Sequence, residues 1–160
     1  MDRSNPYEAA LEAYLQEQGL CYVAIDETRR AMLGDSPVKN LDFIVHGVCG
    51  SRLLLDVKGR RFPGGPAGKP RYVWENWATQ EDVVGLRRWA QLFGPGSTAL
   101  FVFLYRLMPT VAVPPASPDL FRWRGEQYLL RAVAVEDYLQ HMRVRSPKWG
   151  TVNVPMAVFR

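Results

Sequence analysis

The sequence predicts an α/β fold: an αβββαβ core whose mixed sheet is flanked by helices, followed by a β-hairpin, a short helix and a tail. Three observations predict it. An apolar run at helical spacing follows Asn5-Pro6, two β-rich segments are joined by a glycine-bounded turn at 47–50, and a capped amphipathic segment after Thr79 leads into a nearly all-apolar stretch at 98–105. The chain has 160 residues, 48% of them hydrophobic, which is enough for one domain over 1–160 with a real core.

The elements follow in order. Asn5 can cap a helix, Pro6 fits its first position, residues 7–15 carry the helical spacing, and Gly19 ends it. Residues 20–25 form a short apolar strand, and 26–39 read as an irregular or partly helical connection ending at Ser36-Pro37. Segments 41–46 and 51–58 are the strands of a hairpin. Segment 62–70, rich in Pro and Gly, has the composition of a mobile surface loop. Thr79 caps the second helix with Asp82 completing a capping box, and Val83, Leu86, Ala90 and Phe93 form its apolar stripe until Gly94-Pro95-Gly96 stops it. Residues 98–105 fit an interior strand covered on both faces, reached by a crossover through that helix. A second hairpin turns at Arg124-Gly125-Glu126, and 135–142 read as a short closing helix.

Composition excludes several classes. Seven Phe, seven Tyr and five Trp argue against disorder, and no apolar run reaches the roughly 18 residues that a membrane span needs. The beginning of the chain lacks the basic and apolar regions of an export signal, so a cytoplasmic location is expected. Cys21 and Cys49 lie in or beside strands without a C-x-x-C pair, and buried thiols are expected there rather than a disulfide or zinc. The net charge of +4 is unevenly placed. Lys58, Arg60, Arg61, Lys69 and Arg71 follow one another with no acid between, and Arg143, Arg145, Lys148 and Arg160 close the chain in the same way. Such segments attract polyanions by neutralising phosphates, although solvated loops have the same composition.

The chemistry lies in the first hairpin. Asp42 and Asp56 sit in otherwise apolar strands, where an ionised carboxylate needs compensation. If the hairpin folds about Cys49, Asp42 faces Asp56 with side chains about 5 Å apart. Two such charges repel by about 3 kcal/mol at an effective dielectric of 20, a conflict that a divalent cation removes. Lys58, two residues past Asp56, lies on the same strand face. A slip of one residue would separate the acids onto opposite faces. Mg²⁺ prefers a few carboxylates plus waters and promotes water attack on a phosphodiester. Lys58 then has two roles open to it: positioning or deprotonating the water, or stabilising charge in the transition state. A buried Asp-Lys ion pair without metal uses the same residue types.

A glutamate-bearing helix, a strand, a strand with Asp, a strand with D-x-K, a helix and an interior strand resemble the PD-(D/E)XK nuclease superfamily, which includes restriction endonucleases and archaeal Holliday junction resolvases. The resemblance spans roughly 5–106. It implies that Asp42 and Asp56 bind Mg²⁺, with Mn²⁺ as a substitute, that Lys58 assists hydrolysis, and that an acid on the first helix, Glu8, joins them. Glu12 lies one turn later on the same helix face, and Glu8 also reads as part of a capping box. The resemblance further implies DNA as partner and a homodimer as the form that cuts two strands. A closer pattern is also present. Pro6-Tyr7-Glu8-Ala9-Ala10-Leu11-Glu12 is similar to the H-Y-E-x-A-F-E signature of the bacterial HYExAFE family, with Pro6 in place of its His and Leu11 in place of its Phe. Leu41-Asp42-Phe43-Ile44-Val45, Asp56-Val57-Lys58-Gly59-Arg60, Trp74-Glu75-Asn76-Trp77 and the segment from His141 to Gly150 look like it too. Leu41 stands where the superfamily name has Pro.

The remaining candidates are auxiliary. Glu75 and Gln80 border the second helix, where related nucleases often place a polar residue near the metal. Trp74 and Trp77 can stack on bases or anchor a loop. Arg60, Arg61, Arg143, Arg145, Lys148 and Trp149 are the expected nucleic-acid contacts. His46 lies on the acidic face by parity, and His141 is a second lone histidine; structural roles are the commoner reading for both.

Overall fold

The computed structural model describes residues 5–25, 31–33, 36–38, 41–47, 50–111 and 119–159. Helix α1 spans Pro6–Glu17, capped by the Asn5 side chain, which accepts from the Tyr7 N–H at 3.0 Å. Strands β1 (Cys21–Ala24), β2 (Ala31–Leu33), β3 (Ser36–Val38), β4 (Phe43–His46) and β5 (Arg52–Phe62) follow, then β6 (Ala78–Thr79) and helix α2 (Gln80–Phe93). Strands β7 (Ser97–Leu107), β8 (Leu120–Trp123) and β9 (Glu126–Ala134), helix α3 (Val135–His141), strands β10 (Arg143–Ser146) and β11 (Thr151–Asn153), and a 3-10 turn over Met156–Phe159 complete it. No helix among the described residues is long and apolar enough to cross a membrane.

The central sheet has six strands in the order β1-β4-β5-β7-β9-β8. Among the described residues only β5 and β7 pair in parallel, because α2 carries the chain across between them. The expected αβββαβ core is therefore present as α1-β1-β4-β5-α2-β7. Strand alternation divides β5 between two cores. Leu55 and Val57 pack with Phe43, Val45, Val102 and Leu104 beneath Ala10, Leu11 and Leu15 of α1. Leu54 and Phe62 face the other way, with Phe101, Phe103 and Tyr105, against Val83 and Leu86 of α2 and Tyr138 of α3. Gly59 lets α1 approach closely: a Cβ there would lie 2.2 Å from the ring of Tyr7.

Four expectations need correction. The connection at 26–39 contains the antiparallel pair β2–β3 rather than helix, with Met32 opposite Pro37; its remaining residues lie outside those described. The closing tail is a hairpin, β10–β11, which joins β6 in a separate three-stranded sheet. Cys21 is an exposed thiol, because β1 is an edge strand, while Cys49 lies outside the described residues. Within the glycine-rich loop, Phe62 and Pro63 are buried, Phe62 stacks on Trp74 with ring centroids 3.5 Å apart, and Gly64 bridges to Arg71. The hairpin at 124–126 forms as read, with Arg124 and Gly125 at positive φ of 48° and 77°.

Candidate active site

Strands β4 and β5 pair Phe43 with Leu55 and Val45 with Leu53, the register that the hairpin about position 49 requires. The paired register ends at Phe43 and Leu55, one residue short of Asp42 and Asp56. Asp42 itself stands at the mouth of the ladder. Its N–H still donates to the Leu55 carbonyl at 2.9 Å, while its Oδ2 accepts from the Val57 N–H at 2.7 Å. The carboxylate thus takes the place of a strand carbonyl and lies against the peptide that joins Asp56 to Val57. A charge-assisted bond of this kind compensates a carboxylate on a residue only 8% exposed.

Asp56 and Lys58 alternate with Val57 and so face α2. The Lys58 ammonium lies 3.2 Å from Asp56 Oδ1 and 2.9 Å from Asp82 Oδ2. Burial alone would lower the pKa of Lys58, but the charges of Asp56 and Asp82 and their hydrogen bonds outweigh it and raise the value above its ordinary 10.5. Asp82 also completes the capping box: the Asp82 N–H donates to Thr79 Oγ1 at 3.0 Å, and the Thr79 N–H donates to Asp82 Oδ2 at 3.2 Å. One carboxylate oxygen therefore ends the helix and holds the lysine. The sequence signals the cap but not the contact with Lys58, which depends on how α2 crosses the sheet.

Glu8 is 3% exposed, on the same stripe of α1 as Leu11 and Leu15, and Asn5 Nδ2 donates to its Oε1 at 3.4 Å. Its helix covers the Leu55–Val57 face, opposite to the one that carries Asp56 and Lys58. Glu12 is turned to β1, where it accepts from the Tyr22 hydroxyl at 2.9 Å. Among the described residues no three of His, Cys, Asp and Glu form a group that could hold a metal ion. Asp42, Asp56 and Glu8 are thus not a preformed three-acid cage. The smaller requirement of Mg²⁺, one or two carboxylates with several waters, fits Asp42 and Asp56 in chemistry, and the bond from the Val57 N–H brings Asp42 to the peptide next to Asp56.

The expected auxiliary residues divide. Tyr105 donates to the Glu75 carbonyl at 2.8 Å, and the Glu75 side chain pairs with Arg71 at 3.1 Å. Asn76 exchanges two hydrogen bonds with the Val154 backbone, and its own carbonyl accepts from Tyr138 at 2.8 Å. The Trp74–Trp77 segment thus ties the sheet, α3 and the 154 region together, and the anchoring reading of Trp74 is the one its stacking describes. Gln80 is exposed. His46 pairs with Arg52 at the far end of β4, about 13 Å of strand from Asp42. His141 is exposed and bonds the Asp137 carbonyl.

The basic residues also separate. Arg60 is half-buried: it donates to the Gly59 and Trp77 carbonyls at 2.8 and 2.7 Å, its guanidinium lies 4.1 Å from the Trp77 ring centroid, and burial lowers its pKa. Arg61 is exposed and bonds the Gly65 carbonyl. Arg143, Arg145, Lys148 and Trp149 are exposed on the β10–β11 hairpin. That hairpin is fastened beside the site, since Thr151 pairs with Thr79 and the Gln80 N–H donates to the Gly150 carbonyl at 2.8 Å.

No protein-family model matches the chain, and no curated protein matches it. Among solved structures, it aligns with Hjc, a Holliday junction resolvase of Archaeoglobus fulgidus. That alignment covers 96% of this chain and 89% of the other, at 17% identity and a TM-score of 0.49.

Proposed function

We propose that this protein is a metal-dependent phosphodiester hydrolase acting on DNA. One observation carries the reading: the Asp42 carboxylate sits on the peptide between Asp56 and Val57, within one strand repeat of a lysine held by two acids. Asp42 and Asp56 would hold Mg²⁺ or Mn²⁺; Glu8, the expected third acid, lies under α1 on the other face of β5 and is no part of that pair. The bound ion would supply Lewis acidity at the phosphate. Lys58, held between Asp56 and Asp82, would serve as a cation for the charge that develops on the phosphoryl oxygens. Arg61 and the cations of the β10–β11 hairpin would neutralise neighbouring phosphates. The HYExAFE-like residues, a bacterial and cytoplasmic setting, and a homodimer that cuts two strands belong to the same reading.

The test is cleavage of single-stranded, double-stranded and branched DNA with Mg²⁺ or Mn²⁺. Turnover that disappears in Lys58→Ala is the expected result. No cleavage of any substrate, or equal cleavage by the variant, rejects the proposal. A second reading is a catalytically silent nucleic-acid-binding module. The ion pairs of Lys58 with Asp56 and Asp82, which satisfy these groups without a metal, favour it. It predicts salt-sensitive DNA binding without turnover.

A further inference from the structure

A cleft of about 390 Å³ opens between the segment at 71–77 and the segment at 153–156. Its rings and cations are Tyr72, Trp74, Trp77, Arg71 and Arg145. Tyr72 is 68% exposed, although its backbone follows a bridged loop and its ring forms a T-shaped pair with Phe62, centroids 6.1 Å apart. A large aromatic side chain held in water by a fixed loop presents a stacking surface. Arg145, exposed, is parked 5.3 Å from the Trp77 ring centroid. Glu75 is the acid of the cleft, and Arg71 already pairs with it.

We propose that this cleft binds a single strand of nucleic acid, a base lying against Tyr72 and the adjoining phosphates lying on Arg145 and Arg71. Three observations favour an unpaired strand. First, the volume is at the small end of the roughly 300–1,000 Å³ of small-molecule sites, so it admits a nucleotide or two and no duplex. Second, only an unpaired strand offers free base faces to aromatic rings, because duplex bases already stack on one another. Third, cations stand on both rims, Arg71 on the loop and Arg145 on β10, with Lys148 and Trp149 further along the same hairpin, as a backbone that tracks along a groove requires.

The cleft also leads toward the candidate site. Trp77 is in contact with Arg60, and Arg60 stands two residues, about 7 Å, beyond Lys58 on the same face of β5. A strand bound there has one end directed at Asp56 and Lys58. That direction rests on the nuclease reading, while binding does not.

Fluorescence anisotropy tests the proposal in the presence of EDTA, with labelled oligo-dT and oligo-U, a duplex of equal length and an acidic peptide of matched charge. The expected result is binding of the single strands at least tenfold tighter than duplex or peptide. Tyr72→Ala should weaken single-strand binding by about 5- to 150-fold, the range of one lost base stack, and Arg145→Ala should weaken it and flatten its salt dependence. Both positions are exposed, and circular dichroism checks that the variants fold. Binding is read in EDTA, without metal-dependent turnover, so a failed nuclease assay and a failed binding assay are separate outcomes. Equal affinity for duplex or peptide, or no loss in either cleft variant, overturns the proposal.

Discussion

Asp82 Oδ2 lies 2.9 Å from Lys58 Nζ and 3.2 Å from the Thr79 N–H, so a single oxygen joins the end of α2 to the middle of β5. Asp82 is 4% exposed, and the carboxylate of Asp56 stands on the other side of the same ammonium. Removing one member of such a set leaves a charge without its partner in a poorly solvated place, which costs more than the set contributes as a whole.

The expected outcome for Asp82→Ala is a loss of about 2–4 kcal/mol in denaturant unfolding. It combines the cap, worth about 1 kcal/mol, with part of the 3–5 kcal/mol of a broken buried pair. Lys58→Ala alone should cost about 1–3 kcal/mol, because it leaves Asp56 and Asp82 facing one another. The double variant should lose less than the sum, with a coupling of about 1–3 kcal/mol. Additivity within error would show that the contact contributes nothing.

A second prediction concerns the seat of α1. Tyr7 lies flat over Gly59, where a single added carbon would meet three of its ring atoms at 2.2–2.7 Å. Gly59→Ala should therefore destabilise by about 1–3 kcal/mol, the usual range for overpacking. The added Tyr7→Ala change should restore part of that loss by vacating the space. A thermal melt in which the double variant is no more stable than Gly59→Ala would mean that the strain lies elsewhere.

The hairpin was legible in the sequence because strand periodicity is an integer: once glycines bound the turn, apolar residues can face the core in one register only, and Phe43 opposite Leu55 follows. The cap of α2 was legible for a similar reason, since Thr79 and Asp82 act within one turn. The contact of Asp82 with Lys58 was not, because 24 residues separate them and no local pattern reports how a crossover helix sits on its strand. Strands β6, β10 and β11 escaped as well. β6 has two residues, and Arg143, Val144 and Arg145 are all exposed, so neither shows the alternation that marks a half-buried strand. The side of the sheet from which Glu8 approaches is likewise a property of packing.

Alkaline pH should unfold the protein through its buried phenols. Tyr105 and Tyr138 donate to the Glu75 and Asn76 carbonyls, and burial pushes both well above the ordinary value of 10.0. A group whose pKa is raised on folding binds its proton more firmly in the native state. Its stabilising contribution is therefore complete below about pH 10, where the unfolded tyrosines are protonated, and is lost as the pH rises toward the native values. Urea midpoints should be flat below pH 9 and fall above 10, and Tyr138→Phe should be less stable at pH 8 yet lose less between pH 9 and 11. An equal slope in the variant would remove Tyr138 as a cause.

Asp42 separates the structural use of an acid from its chemical use. Its Oδ2 accepts from the Val57 N–H at 2.7 Å, a bond that an amide oxygen can also accept. Asp42→Asn should keep the strand end closed and remain within about 1 kcal/mol of the parent. Asp42→Ala leaves a buried N–H without an acceptor and should cost about 1–3 kcal/mol. If Asp42 holds a divalent cation, the two variants should fail equally in titration calorimetry with Mn²⁺, because the amide lacks the charge that a hard cation requires. Stability and metal affinity would then follow different orders across the three proteins. Should Asp42→Asn bind Mn²⁺ as well as the parent does, the carboxylate serves only as a cap for β5, and the candidate site loses one of its two central ligands.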